Sequence, residues 1–245
     1  MSHNDAVREQ FRVQASTFTD TGFAVAGLDW IVAGLEPGPR DVVLDVAAGA
    51  AHLGRALAPH VLHVSALDLT PEMLEQGRLL ADGLRNITFL QGDASALPWC
   101  GGQFDLCVCR LTLHQVADPA AVVREMVRVS RGRVAVIDMT LTDPSVAEET
   151  NRLERLRDPS HGRTLTIAET HALLAEAGAA VESTVSHDNV VDIEDWLERT
   201  ETPAPARAAI HERFEEELAG GPPTGLRPTG EGTFVHTWTM TVARV

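Results

Sequence analysis

From Asp41 to Met139, short apolar runs alternate with helical patterns, the arrangement of a parallel sheet covered by helices on both faces. The strand runs are residues 41–46, about 62–68, 87–90, 104–109 and 134–139. A helix through Leu53, Ala56 and Leu57 follows the first run. Thr70-Pro71-Glu72 opens another with an N-cap residue, a proline at the first helical position and an acid in the first turn. Asp118-Pro119 opens the next, with Val122, Val123, Met126 and Val127 on its apolar face. Up to about Pro39 the pattern predicts two amphipathic helices, one carrying Phe11 and Phe18, the other Trp30 and Ile31. Pro37-Gly38-Pro39 closes them off. After the fifth strand, helices are expected over 144–157, ending at Asp158-Pro159, and over 166–177. The latter has a capping box of Thr166 with Glu169 and a stop at Gly178. Two more start near Asp192 and Ala204, and residues 220–232 form a loop rich in Gly and Pro. In the last segment Phe234, His236, Trp238, Met240 and Val242 share one face and Thr237, Thr239 and Thr241 the other. That predicts an antiparallel-type strand with one buried face.

Composition narrows the chemistry. The 245 residues carry 20 Lys+Arg against 35 Asp+Glu, a net charge of −15, and reading the rows shows every basic residue to be arginine. Without lysine there is no Schiff-base nucleophile and no Walker-type phosphate lysine, and without tyrosine no phenol acid or base. The negative charge disfavours nucleic acid and anionic membrane as partners. Residues 1–10 are polar, without the apolar core of a signal peptide, and no apolar run approaches the roughly 20 residues of a membrane helix. Cys100, Cys107 and Cys109 are an odd, clustered set rather than a disulfide framework, so a reducing cytoplasm is expected. Cys107 and Cys109 alternate on a strand as small buried hydrophobes, and no metal site is expected.

The first strand runs into Asp45-Val46-Ala47-Ala48-Gly49-Ala50-Ala51-His52, small residues that let a ligand approach the backbone at a helix start. Asp68 ends the second strand at the spacing where an acid meets a ribose hydroxyl pair. The loop lacks G-x-G-x-x-G, and Asp45 at its entrance would repel a pyrophosphate but welcome a cation. Gly92-Asp93-Ala94 ends the third strand with another acid, placed to accept from an adenine amine. Three acids in one cleft suit a ligand with a sulfonium, an ammonium, a ribose and an adenine. That fits S-adenosylmethionine better than NAD.

The run Val43-Leu44-Asp45-Val46-Ala47-Ala48-Gly49-Ala50-Ala51-His52 resembles the first motif of class I SAM-dependent methyltransferases. Residues 66–74, from Ala66-Leu67-Asp68 to Met73-Leu74, are similar to the second, and residues 92–98 and Phe104-Asp105-Leu106 to the third and fourth. The likeness is to the subgroup related to ubiquinone and menaquinone C-methyltransferases and extends over roughly residues 8–180. It implies an α/β fold: a doubly wound, Rossmann-like, seven-stranded sheet, mostly parallel with an antiparallel last strand. A helical cap (1–39) would precede the cofactor-binding core (40–140), with an acceptor lid (141–165) and a part completing the sheet (166–245), all in one domain. By that resemblance Asp45 and Gly49, with Ala47 between them, flank the methionine moiety of S-adenosyl-L-methionine. Asp68 holds the ribose, Leu69 and Met73 pack on the adenine, and Asp93 and Ala94 address its edge. Two departures stand out: Ala51 where the family has glycine, and a residue or two missing around Arg131-Gly132.

A base for an acceptor proton belongs at the carboxyl ends of the strands. His114, after the fourth strand, is the first candidate, or else a loop histidine that caps the following turn. His161 is the second, or else part of a turn punctuated by Pro159. Arg110, placed with the cofactor-cleft residues, meets either an acidic acceptor or a surface carboxylate. His236 is expected to be a satisfied core histidine. Phe11, Gln14 and Phe18 form either a lid over the cofactor or plain core packing. Cys109-Arg110-Leu111-Thr112 lacks the acidic or Asn residue, prolines and aromatic usual in base amino-methylating enzymes. The expected acceptor is therefore a small molecule (a quinone, phenol or specialised metabolite), methylated on O or C by a monomer or homodimer. The competing readings are the same fold recruited for a cyclisation or isomerisation, with SAM structural or absent, and, further off, an NAD-dependent oxidoreductase.

Overall fold

The branched run Val42–Val46 forms β1, and its neighbours in the sheet fix where a ligand can sit. In the computed structural model, which describes residues 2–245, β1 pairs in parallel with β2 (His63–Asp68) and β4 (Phe104–Arg110). Met1, the first residue of the polar amino terminus, lies outside the described residues. With β3 (Ile87–Gln91), β5 (Ser130–Met139), β6 (Ala180–Asp192) and β7 (Thr233–Arg244), the strand order is β3-β2-β1-β4-β5-β7-β6. Strand order reverses between β1 and β4, so the loops leaving their carboxyl ends diverge and open a cleft.

Alternate residues of the central strands enter two different cores, which is why these strands read as continuous apolar runs. Val43, Val108 and Ile137 pack with α2 (Leu28–Leu35) and α3 (His52–Leu57), through Ile31, Leu35, Leu53 and Leu57. Leu44, Cys107 and Cys109 pack on the other side with α5 (Pro119–Val129) and α7 (Ile167–Glu176), through Val123, Met126 and Leu174. Burial pushes both thiols up, so they behave as small apolar groups. A third core joins Leu153 of α6 (Ala147–Arg157), Trp196 of α8 (Ile193–Glu198), Phe214 of α9 (Ala204–Leu218) and Phe234 of β7.

Several expectations are corrected. Phe18 is not on the first helix, because α1 (His3–Gln14) gives way to a 3-10 turn at Ala15–Thr17; Phe18 folds back on Phe11, ring centroids 6.3 Å apart. Thr70 occupies the N-cap of α4 (Pro71–Leu80) without a side-chain capping bond. The 144–157 helix begins with a 3-10 turn at Pro144–Val146. Strand β7 buries one face only in its first half: from Trp238 on, Thr239 and Thr241 are buried as well, because β7 lies between β5 and β6 rather than at an edge. Strand β6 escapes the apolar pattern because it is that exposed edge, with mostly polar, exposed residues. Helix α5 runs straight into β5, whose pairing with β4 is irregular between Phe104 and Leu106, and a Cβ on Gly132 there would overlap the Asp105 carbonyl.

Candidate active site

The loop leaving β1 is wound tightly: Ala47, Gly49 and Ala51 all have positive φ (+52°, +56° and +54°). A Cβ on Gly49 would sit 2.9 Å from Met73 Cε and would have to displace the end of that side chain, on a backbone whose positive φ already favours glycine. The carboxylates expected from the sequence hold this loop as well as face the cleft. Gly49 N–H donates to Asp68 Oδ2 (2.7 Å) and Thr70 N–H to Asp68 Oδ1 (2.8 Å). Gly54 N–H donates to Asp45 Oδ2 (2.8 Å). Burial pushes the Asp45 carboxyl up to about 7, against the opposing pull of the Gly54 amide, and raises Asp68 too. Asp93 Oδ1 accepts from the backbone and hydroxyl of Ser95 (2.8 and 2.7 Å), and Asn4 of α1 donates to its Oδ2 (2.8 Å). Leu69 is half-buried, while Met73 and Ala94 are buried. Asn4, Asp45, Ala47, Gly49, Asp68, Leu69, Thr70, Met73, Asp93 and Ala94 line one cavity of about 1400 Å³, its open mouth included.

Phe11, Gln14 and Phe18 line the same cavity, so the lid reading of that segment agrees with their position. The donor set suits S-adenosylmethionine. Asp68 spends one hydrogen bond per oxygen on backbone amides, leaving lone pairs for ribose hydroxyls, and Asp45 lies where a cation would offset its burial. Among the described residues no group of three or more His, Cys, Asp or Glu side chains is placed to hold a metal ion.

The cavity continues under the carboxyl ends of β4 and β5 and the amino-terminal half of the antiparallel β7, at His236 and Trp238. His114 lines it. Its Nδ1 lies 2.5 Å from Asp138 Oδ1, while Asp138 Oδ2 accepts from the Leu113 amide (2.7 Å). Burial alone would lower the His114 pKa, but Asp138, with Glu154 and Asp158 further off, outweighs it and the pKa is raised. Gly162 N–H donates to the His114 carbonyl (2.8 Å) and Gln115 Nε2 to Asp158 (3.0 Å), so the segment after α6 clasps the β4 loop.

The second candidate, His161, is not brought to the cavity wall. It is buried behind His114, ring centroids 5.7 Å apart, with Nε2 2.9 Å from Asn151 Oδ1, and burial lowers its pKa to about 4. The expectation of a base there is corrected to a neutral packing residue. Arg110 lines the cavity and, among the described residues, pairs with no surface carboxylate: it donates to the carbonyls of Ala24 (3.0 Å), Phe23 (3.3 Å) and Ala26 (2.9 Å). His236 is paired as expected, 3.2 Å from buried Glu154, yet it also reaches the cavity wall.

Sequence reasoning missed Asp138, Arg157, Asp158, Trp196 and Arg199. Asp138 ends β5 as Asp45 and Asp68 end β1 and β2, a signal that was available. The α8 residues carried none, because a short helix far along the chain reaches the cleft only through the third core.

Comparison with known proteins agrees with this geometry. Residues 44–137 match the model of a methyltransferase domain family. An uncharacterised methyltransferase of Bacillus subtilis, YcgJ, is 35% identical over 167 residues, 66% of each chain. Its crystal structure superposes with a TM-score of 0.77 at 27% identity, covering 89% of this chain and 97% of that one. A demethylmenaquinone methyltransferase of Renibacterium salmoninarum is 36% identical over 109 residues, 44% of each chain. The fold is shared, at 15% identity and a TM-score of 0.65 over the whole of both chains, with magnesium protoporphyrin IX methyltransferase of Synechocystis, solved with S-adenosylhomocysteine bound. The chain belongs to the class I S-adenosylmethionine-dependent methyltransferases. Within that class the sequence alignments to curated relatives span two thirds or less of YcgJ and the demethylmenaquinone enzyme, so the acceptor is read from this chain's own cavity.

Proposed function

We propose that the protein transfers a methyl group from S-adenosylmethionine to a small-molecule acceptor, a quinone, phenol or specialised metabolite, at carbon or oxygen. One observation carries the reading: a single cavity runs from the acids Asp68 and Asp93 to the His114–Asp138 pair. The cofactor supplies an electrophilic methyl on a sulfonium, and the acceptor atom that takes the methyl gives up a proton. Asp45 stabilises the cationic end of the cofactor, Asp68 and Asp93 orient the nucleoside, and α1 excludes water. His114 takes the acceptor proton on Nε2, because Nδ1 is held by Asp138, which acts as a positioning residue. The 141–165 segment serves as an acceptor lid, joined by α8, with Asp158 and Trp196 reaching the cavity.

Incubation with methyl-labelled S-adenosylmethionine and a panel of phenols and quinols tests this. Label in an acceptor is expected, with His114→Asn slowing transfer about 10²- to 10⁴-fold while S-adenosylhomocysteine affinity is retained. Turnover of a substrate without label transfer would favour the non-methylating reading instead.

A further inference from the structure

Three side chains on the acceptor side present hydrogen-bond donors with nothing to donate to. Arg110 Nε, Arg199 Nη2 and Trp238 Nε1 are each shielded from water and lack a partner among the described residues. All three residues line the cavity, and rings connect them into one wall. The Arg199 guanidinium lies 4.0 Å from the Phe23 ring centroid, Phe23 packs edge-on against Trp238 at 5.4 Å, and Arg110 lies 5.2 Å from the Trp238 ring. Orphaned buried donors are rare because each forfeits its hydration. Among the described residues that line the cavity, the orphaned atoms are all donors, Gln14 Nε2 of α1 included; the unpartnered acceptor Glu154 Oε1 lies off the lining, beside His236.

Charge points the same way. Arg110 has no carboxylate within ion-pair distance among the described residues; both of its terminal nitrogens are spent on backbone carbonyls. Arg199 has a single carboxylate neighbour, Asp195, 3.3 Å away and well exposed on the outer side of α8. Arg157, in the same wall, is by contrast matched by buried Glu154 at 3.3 Å. In a chain of net charge −15, two incompletely neutralised guanidinium groups in one apolar pocket are a marked local reversal. Burial lowers both arginines to about 10, so each stays charged at neutral pH. A planar fork of N–H donors beside aromatic faces is the receptor for a flat ligand ending in a carboxylate.

We propose that the acceptor carries a carboxylate on a flat, apolar body, with the carboxylate received by Arg199, Arg110 and Trp238. This rests on the small-molecule methyltransferase reading and names the acceptor class within it. A second source of the same chemistry is the carboxylate of the cofactor's own methionine moiety. Position favours the acceptor: Trp238 is on β7, separated from β1 and its cofactor loop by β4 and β5, and Arg199 directly follows α8 as its C-cap.

Calorimetry on the full-length protein saturated with S-adenosylhomocysteine separates these outcomes. The probes are matched pairs, 4-hydroxybenzoate with 4-hydroxybenzamide and 4-hydroxyphenylacetate with its amide. The carboxylates should bind at least about tenfold more tightly than the amides. Arg199→Gln should erase that preference and Arg199→Lys retain part of it, with melting temperatures confirming that both variants fold. Absence of a preference, whether both members bind equally or neither binds, would overturn the proposal. So would an Arg199→Gln variant that loses affinity for S-adenosylhomocysteine while keeping the carboxylate preference. Failure of the protein to bind S-adenosylhomocysteine at all, with the carboxylate preference intact, would instead count against the methyltransferase reading and leave the anion site standing.

Discussion

At the scale of single residues, Ala51 is the clearest place where side chain and backbone disagree. It sits at φ +54° with its methyl fully buried, a conformation that disfavours an L side chain by roughly 1–2 kcal/mol. Glycine there removes the strain but adds freedom to the unfolded chain, an opposing effect of about 0.4–1 kcal/mol. Ala51→Gly is therefore expected to leave stability unchanged or raise it by up to about 1.6 kcal/mol in urea unfolding, the reverse of the usual effect of Ala→Gly. Asp45 makes a second prediction. Its carboxyl ionises near 7 in the free protein, and a cationic cofactor binds the ionised form. Affinity for S-adenosylmethionine, followed by calorimetry between about pH 5.5 and pH 8.5, should level off above 7 and fall up to tenfold per unit below it. Asp45→Asn should bind weakly with no such slope. For His114 the sign is opposite in origin: its raised pKa means the neutral base accumulates as pH rises. The acid limb of the rate profile should therefore move to lower pH in Asp138→Asn, which removes the charge that holds the proton.

At the scale of elements, α1 is latched rather than deeply packed. Asn4 donates to Asp93 (2.8 Å), His3 Nε2 lies 2.6 Å from the Gln115 carbonyl, and Gln10 reaches the Thr200 carbonyl (3.3 Å). Asn4→Ala is expected to weaken S-adenosylhomocysteine binding several-fold, about 1 kcal/mol, with little change in melting temperature. Element legibility followed burial. The runs that became β1, β4 and β5 are buried on both faces and were readable as strands, and the Thr166–Glu169 capping box forms as expected. Strand β6 was not readable, because its thirteen residues take their strand geometry from pairing with β7 and not from an apolar face.

At the scale of the whole molecule, acid stability separates the two candidate histidines. His161 has its pKa lowered to about 4 by burial, so it adds stability above the unfolded value of 6.5 and loses it as pH falls towards 4. Comparing urea unfolding of the wild type and His161→Gln, the stability difference at pH 7.5 should shrink by about 2–3 kcal/mol at pH 4.5. A constant difference would remove His161 from the neutral, buried role. Charge is likewise a property of the whole. The excess of carboxylates is spread over the surface and the Asp45–Asp93 end of the cleft, whereas the cavity's arginines, Arg110, Arg157 and Arg199, gather at the other end, beside Asp158.

Asp45, Asp68 and Asp93 could be placed around one cleft from sequence alone, because each lies at or just past the end of a strand whose direction follows from local periodicity. In a parallel sheet, strand ends with one polarity fall on one side of the molecule. His114 was placed by the same rule. The other wall obeys no local rule. Gln14, Arg157, Trp196, Arg199 and Trp238 come from a capping helix, two helical segments after β5 and an antiparallel strand, and long-range packing, for Trp196 that of the third core, brings them to one cavity. His161, close to His114 in space and in residue type, was turned away from the cavity by its hydrogen bond to Asn151. The sequence by itself determined the fold and the cofactor half, which rest on short-range pattern. Tertiary structure alone decided the acceptor half, since long-range packing sets which distant side chains meet and which donors are left without a partner.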